Sequence, residues 1–291
     1  MVSNKELKKF SFNLVSEAGK YVIDRFEGKF RVSSKDKKNN LVTEVDTNSQ
    51  KLIINMINSQ YPEHAIIGEE DPEGAESNTS EYTWVIDPVD GTTNFANGIP
   101  NFSISVAILK NSEPIAGAIW IPWPNKSRCL IFHTGKDEGS WMGEKKLDIS
   151  NIPSESLSTG GISSFSSSRT IFGDTDSGIE PISQIIKGEN RVIGSVAYEM
   201  ALVAKGSIKF ALLGPAYIWD FGAGLLLIKE AKGKIICLDK NYKNKGEFKT
   251  FLIDYKEDKQ TYRAMRNWKG QFYAGSNNII NSKYSYKKDF T

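Results

Sequence analysis

Two aspartates three positions apart, Asp87 and Asp90, close an apolar run and stand just before Gly91-Thr92-Thr93, in the segment WVIDPVDGTTNF from Trp84 to Phe95. The run Thr83 to Ile86 has the length and residue types of a buried strand. Pro88 lacks a backbone N–H and stops the ladder, so the turn carries Asp90 round toward the side of Asp87. Carboxylates that close raise each other's pKa unless a cation lies between them. Gly91 permits a tight backbone, and Thr92-Thr93 stand where a helix can begin, a position that favours anions and phosphate above all. Two cysteines (Cys129, Cys237) cannot build a Cys-rich zinc site, and the only two histidines (His64, His133) show no partner pattern, so oxygen ligands are expected, which suits magnesium, manganese or calcium. Glu69 ends the neighbouring apolar run Ala65-Ile66-Ile67 and can complete the cage, and Asp220 follows Trp219 and opens a further helix. Taken singly, each residue also has a structural reading: Asp-Pro as a turn, Asp220 as a helix N-cap, Thr43 with Asp46 as a capping box.

The elements that must position these groups follow from periodicity. Leu7, Phe10, Leu14, Val15, Ala18, Val22 and Phe26 recur at helical spacing, and Gly28 ends that helix. Lys29 to Val32 reads as a short strand and Ser33 to Asn40 as an exposed loop. Thr43 opens a second helix whose core face is Ile53, Ile54 and Ile57. Phe102 to Leu109, Pro114 to Ile121, Ser127 to His133 and Gly139 to Trp141 read as strands, the first two joined by a turn at Asn111-Ser112. These predict an antiparallel sheet flanked by two helices. Beyond about residue 145, strand and helix alternate: strands at Gly160 to Phe165, Arg191 to Ser195, Ser207 to Leu213 and Lys234 to Leu238, with helices from Val196 to Ala204 and from Asp220 to Lys232, the second with Gly233 in the C′ position. Two halves are expected, 1–150 carrying the metal and phosphate groups and 151–291 completing the metal site and substrate pocket, with 151–158 as linker.

The 291 residues suit one large domain or two medium ones. Ordinary globular composition, with 39% hydrophobic and 25% charged residues, excludes wholesale disorder. A net charge of +2 is too mild to argue for nucleic acid. No apolar stretch approaches the roughly 18 residues of a membrane span, no secretory leader is evident, and two cysteines fit a reducing cytosol. Cytoplasmic residence, with no nucleic-acid or membrane partner, is the expectation. Charge is unevenly spread: residues 61–90 carry nine Asp/Glu and no Lys or Arg.

These residues resemble the inositol monophosphatase family of lithium-sensitive, magnesium-dependent phosphatases. Its GEE motif matches Gly68-Glu69-Glu70; its W-x-I-D-P-[ILV]-D-G-T-x-N-[FY] motif matches Trp84 to Phe95; its W-D-x-x-A-G motif matches Trp219 to Gly224. LVTEVD, Leu41 to Asp46, looks like the family's D-x-V-T-x-x-D region, with Asn40 in place of the first acid. The resemblance spans about residues 5 to 238 and fades beyond.

The resemblance implies an α-β-α-β-α layered sandwich, with an antiparallel sheet in the first half and a mixed sheet in the second. It implies Glu69, Asp87, the Val89 carbonyl, Asp90 and Asp220 as ligands of two or three Mg2+ ions (Mn2+ being an alternative), and phosphate held by the N–H groups of Gly91 and Thr92. Thr92, with Asp46 and Glu69, would position and activate the attacking water. Lys35 falls in a loop over the site, and Gly194 and Ser195 fall on its substrate side. Leu213 stands seven residues before Asp220, where inositol-selective relatives place a glutamate that meets sugar hydroxyls; this departure argues for broad specificity or for a substrate with an apolar or aromatic face, and Tyr217 and Trp219 could form a matching surface. Residues 239–269, with nine Lys/Arg and five Asp/Glu, look longer than the family's connection and could fold over the site, and the tail from Lys283 lacks the expected closing amphipathic helix. The expected function is a magnesium-dependent phosphomonoesterase, a homodimer acting on a small phosphorylated alcohol. Inositol monophosphate, fructose 1,6-bisphosphate, 3′-phosphoadenosine 5′-phosphate and histidinol phosphate are the candidate substrates. A catalytically idle regulator that binds phosphate ligands is the reading from another class.

Overall fold

The computed structural model describes residues 2–26, 28–34, 41–72, 80–153, 162–165, 188–240, 244–251 and 259–285. Helix α1 (Asn4–Phe26) buries the stripe its spacing predicts, including Leu7, Leu14, Val15, Ala18 and Val22. A short antiparallel pair, β1 (Val32–Ser34) and β2 (Leu41–Thr43), leads into α2 (Glu44–Gln60). The expected loop from Ser33 therefore begins as strand. Lys35 lies outside the described residues.

The first sheet runs β3 (Ala65–Gly68), β4 (Tyr82–Asp90), β5 (Ser103–Lys110), β6 (Glu113–Pro122), β7 (Cys129–Gly135), β8 (Gly139–Met142), β9 (Lys145–Leu147), in that order. Its pairs are antiparallel except β3 with β4, which is parallel. The β5–β6 turn has positive φ at both Asn111 and Ser112 (48° and 66°), the backbone a tight hairpin requires. The five-residue helix α3 (Thr92–Ala96) follows β4.

The second sheet contains β10 (Ile162–Phe165), β11 (Glu189–Arg191), β12 (Phe210–Tyr217), β13 (Gly233–Leu238), β14 (Asn244–Glu247) and β15 (Lys269–Ser276), in the order β11-β10-β12-β15-β13-β14. β10 is parallel to β11 and β12, while β15 is antiparallel to β12 and β13. This is the mixed sheet expected. The remaining described helices are α4 (Val196–Lys205), α5 (Ile218–Glu230), α6 (Lys259–Arg266) and α7 (Asn277–Ser285).

The layers follow from alternation along the strands. Trp84, Ile86, Ile104, Val106, Ala118 and Trp120 face α1 and α2. Their neighbours Val85, Ala107, Ile119 and Ile121 face the opposite way and join one cluster with Ala211, Leu213 and Ala274 of the second sheet. Helices α4 and α5 fill the space between the two sheets. Phe210, Leu212 and Tyr273 point to the far side, where Ile279 and Ile280 of α7 cover them. The α-β-α-β-α order is thus present. α5 is the central rod: ten of its thirteen residues are buried, as a helix enclosed on all sides must be. A Cβ on Gly222 would stand 2.9 Å from the Ala107 Cβ, so only glycine lets α5 lie this close to β5.

Four expectations need correction. The helix after Trp219 starts at Ile218, and Asp220 is its third residue, not its first. The left-handed residue past its end is Lys232 (φ 62°), and Gly233 already belongs to β13. The strand expected to start at Ser207 runs from Phe210 to Tyr217, and the one expected at Arg191 to Ser195 stops at Arg191 because Ser195 is taken up as the N-cap of α4. Helix α7 begins at Asn277, ahead of the tail from Lys283, with Ile279 and Ile280 fully buried, and the part of that tail beyond residue 285 lies outside the described residues.

Candidate active site

The parallel β3–β4 pair places the C-terminal ends of both strands together. Gly68 pairs with Ile86, and the Glu69 N–H donates to the Ile86 carbonyl at 3.0 Å, so Glu69 and Asp87 emerge side by side. Residues three apart on a regular strand point to opposite faces. Here Asp87 pairs with Ser105 while Asp90 pairs with Ser103: three steps on β4 against two on β5. That extra residue is a bulge at Pro88, and it turns Asp90 to the side of Asp87. Asp220 arrives on α5, where its carboxylate accepts the Tyr217 N–H at 2.6 Å.

Carboxylate oxygens of Asp87, Asp90 and Asp220 all lie within 4.8 Å of one another. Burial is the main force raising all three pKa values. The charges of Glu69, Asp90 and Asp220 push Asp87 further, and those of Asp90 and Glu69 push Asp220 further, so both stand well above the usual carboxylate range. Asp90 is raised only to about 6, because Ser195 and the Ala197 N–H donate to it. Those bonds measure 2.7 and 2.6 Å, with Ser103 Oγ adding a third at 3.2 Å. Asp87 Oδ2 is buried and accepts no hydrogen bond. Three clustered carboxylates, one with an orphaned oxygen, are costly as a purely structural device and fit a hard divalent cation bound by oxygen.

Beside this cluster, the Thr92 hydroxyl lies 2.8 Å from Asp46 Oδ1 and 3.0 Å from the Val89 carbonyl. Asp46 serves two elements at once. Its Oδ2 accepts the Thr43 N–H and hydroxyl in the capping box of α2, which leaves Oδ1 for Thr92. Burial raises the Asp46 pKa against these bonds. Gly91 has φ 92°, and a Cβ there would crowd the Asn101 carbonyl (3.0 Å), Ser195 Cβ (3.1 Å) and the Gly194 carbonyl (3.2 Å).

The fold therefore brings Glu69, Asp87, Val89, Asp90, Gly91, Thr92, Asp46, Gly194, Ser195 and Asp220 into one neighbourhood. Ser195 is 2% exposed and gives its hydroxyl to Asp90, so it serves a carboxylate and not an open pocket. Leu213 does not join them. It is fully buried in the core between the sheets, opposite Phe272, and presents nothing to a substrate. Tyr217 stacks on Trp219 (centroids 4.5 Å, planes 11° apart), while Lys269 Nζ stands 4.1 Å over the Tyr217 ring. A ring and a cation that close must occupy opposite faces, so a base could stack on Tyr217 only by displacing Lys269. Sequence reasoning missed Ser103, whose hydroxyl reaches Asp90 from β5, and Arg266, which reaches the Glu69 turn from α6. A lone serine in a strand and a lone arginine carry no spacing signal.

The model of the "Inositol monophosphatase family" matches residues 3–280. The chain belongs to the inositol monophosphatase family. The match runs past Leu238, where the motifs fade, and takes in β15 and the start of α7. Among curated relatives, a "Fructose-1,6-bisphosphatase/inositol-1-monophosphatase" of Aquifex aeolicus is 32% identical over 227 residues, 74% of this chain and 80% of its own. A "Nus factor SuhB" of Pasteurella multocida is 33% identical over 206 residues, 68% of this chain and 72% of its own. Among solved structures, an "extragenic suppressor protein suhB" from Bartonella henselae superposes with a TM-score of 0.73 at 23% identity, covering 96% of this chain and 98% of that one, a likeness of fold. Members of this family hydrolyse phosphomonoesters, and this chain is a phosphatase of that family. No helix among the described residues is long and apolar enough to cross a membrane.

Proposed function

We propose that this phosphatase hydrolyses small phosphorylated alcohols with the help of Mg2+ held by Glu69, Asp87, the Val89 carbonyl, Asp90 and Asp220. The observation that carries the reading is the buried Asp87-Asp90-Asp220 cluster, whose carboxylates repel one another and whose Asp87 Oδ2 is left without a partner. Bound there, two or three divalent ions would supply charge neutralisation, a more acidic water and support for the leaving oxygen. The residues do the rest. The Gly91 and Thr92 N–H groups, at the mouth of α3, orient the phosphate. Asp46 Oδ1 fixes the Thr92 hydroxyl, so that its oxygen can accept a proton from the attacking water while its own proton passes to Asp46. The raised pKa of Asp46 suits that acceptance. Phosphoryl transfer asks little more of a protein than such positioning.

Substrate selection falls to groups other than Leu213. Inositol 1-phosphate, fructose 1,6-bisphosphate, 3′-phosphoadenosine 5′-phosphate and histidinol phosphate remain the candidates, in keeping with the double name of the Aquifex aeolicus relative. In the same reading, residues 1–150 bring the metal and phosphate groups, residues 151–291 complete the site, and the enzyme works as a cytoplasmic, lithium-sensitive homodimer. The test is release of inorganic phosphate from these four compounds with and without Mg2+. Magnesium-dependent release from at least one supports the reading. No release from any of them, by folded protein that binds Mg2+, favours the regulatory reading suggested by the relative named as a Nus factor.

A further inference from the structure

Glu69 sits in a turn, Gly68 to Asp71, that lies outside any helix or strand ladder after Gly68. Such a turn does not hold a carboxylate in place unless other groups brace it. The Asp71 carboxylate accepts the Gly68 N–H at 2.7 Å and Gln50 Nε2 at 2.9 Å, and Gln50 Oε1 accepts the Glu70 N–H at 2.9 Å. The remaining brace comes from nearly two hundred residues away. Arg266, the last residue of α6, donates from Nη1 to the Gly68 carbonyl and from Nη2 to the Asp71 carbonyl, both at 2.7 Å. Its Nη1 also lies 3.5 Å from Asp71 Oδ2. The same guanidinium stands 5.7 Å from the centroid of the Trp219 ring, the residue immediately before Asp220.

One planar group thus grips the chain on both sides of Glu69 and rests on the ring next to Asp220. A lysine cannot do this, since the fork that spans two carbonyls belongs to guanidinium alone. We propose that Arg266 is a positioning residue for the metal site, locking the Glu69 turn against the start of α5 so that the Glu69 and Asp220 carboxylates keep the separation that a divalent ion requires. This rests on the divalent-ion reading above. It gives a use to the basic 239–269 segment, whose α6 reaches the site's rim through Arg266 and through Tyr262, which hydrogen-bonds the Asp71 side chain.

The experiment measures Mn2+ binding directly, from the loss of the free-ion electron paramagnetic resonance signal, for wild type, Arg266→Lys and Arg266→Ala. Each is held below its own melting temperature, which is recorded separately. Arg266→Lys keeps the charge, the stem and one hydrogen bond, so its fold survives even where the alanine variant's does not. Groups that orient metal ligands from behind change affinity by about 10- to 100-fold when lost, and a weakening in that range is expected for Arg266→Lys, with a higher half-saturating Mn2+ concentration and a turnover number largely restored at saturating metal. A lowered melting temperature with Mn2+ affinity within twofold of wild type would overturn the proposal, since that is what a purely structural role gives. Wild type that binds no Mn2+ would overturn the divalent-ion reading itself, and this role with it.

Discussion

Replacing Asp90 by asparagine separates the two things its carboxylate does. In the metal-free protein the Asp90 carboxylate is disfavoured: burial, helped by the Glu69 charge, raises its pKa from 3.8 to about 6 against the hydrogen bonds it accepts. Between these values the folded state holds a proton that the unfolded state has lost, so stability falls as pH climbs through the window, and the full cost persists above pH 6. A rise of about two units corresponds to about 3 kcal/mol. Asparagine stands in for the neutral acid, and its carbonyl oxygen can still accept from Ser195, Ala197 and Ser103, the partners that tie β4 to α4 and β5. Without metal at pH 8, Asp90→Asn should therefore be more stable than wild type by up to about 3 kcal/mol, and the advantage should shrink toward pH 4. Magnesium should close that gap. A ligand at a hundred times its dissociation constant stabilises by about 2.7 kcal/mol; wild type should gain this, and the variant, lacking one of the three clustered carboxylates, should gain almost none. The assay is thermal melting at pH 8 with EDTA and with excess Mg2+, beside phosphate release, which the variant should lose almost entirely. An Asp90→Asn protein that is less stable than wild type in EDTA, yet shows the same magnesium shift and turnover, would refute the reasoning.

Two further substitutions test neighbouring parts of the site. Thr92→Ala removes the hydroxyl held by Asp46 and leaves every carboxylate, so the turnover number should fall by about 10²- to 10⁴-fold while Mg2+ affinity, read by titration calorimetry, barely moves; loss of metal binding instead would make Thr92 structural. Glu199, fully buried on α4, accepts the Ile193 N–H at 3.2 Å with one oxygen, leaves the other without a partner, and has its pKa pushed up from 4.5 to about 8 by burial. The folded state keeps that proton as the unfolded state loses it, so Glu199→Gln should gain on wild type by at most about 1.4 kcal/mol per pH unit from pH 5 to 8 and level off above; a difference in urea stability that stays flat across this range would show that Glu199 is ionised in the fold.

The chemistry was legible in the chain because it is written in short-range order. A strand, a proline, two aspartates and a Gly-Thr-Thr turn fall within Trp84 to Phe95, and local sterics alone oblige that run to stop its ladder and turn. The layered α-β-α-β-α order was reached differently, from the resemblance of three motifs to a family. What local order could not give was anything set by partners far along the chain. The bulge that turns Asp90 toward Asp87 is defined only by pairing with Ser103 and Ser105. Leu213 occupies a position that motif spacing assigns to substrate, yet it is buried, because β12 alternates its side chains between two clusters and Leu213 takes the inward side with Ala211. The strand β15 and the helices α6 and α7 escaped notice, since their apolar residues acquire meaning only when β15 is seated between β12 and β13. Arg266 and Gly68 are 198 residues apart, and no periodicity spans that distance. Sequence determined which groups are present and how each turns locally; tertiary structure decided which of them meet, because closure of contacts over long separations depends on the packing of the whole core.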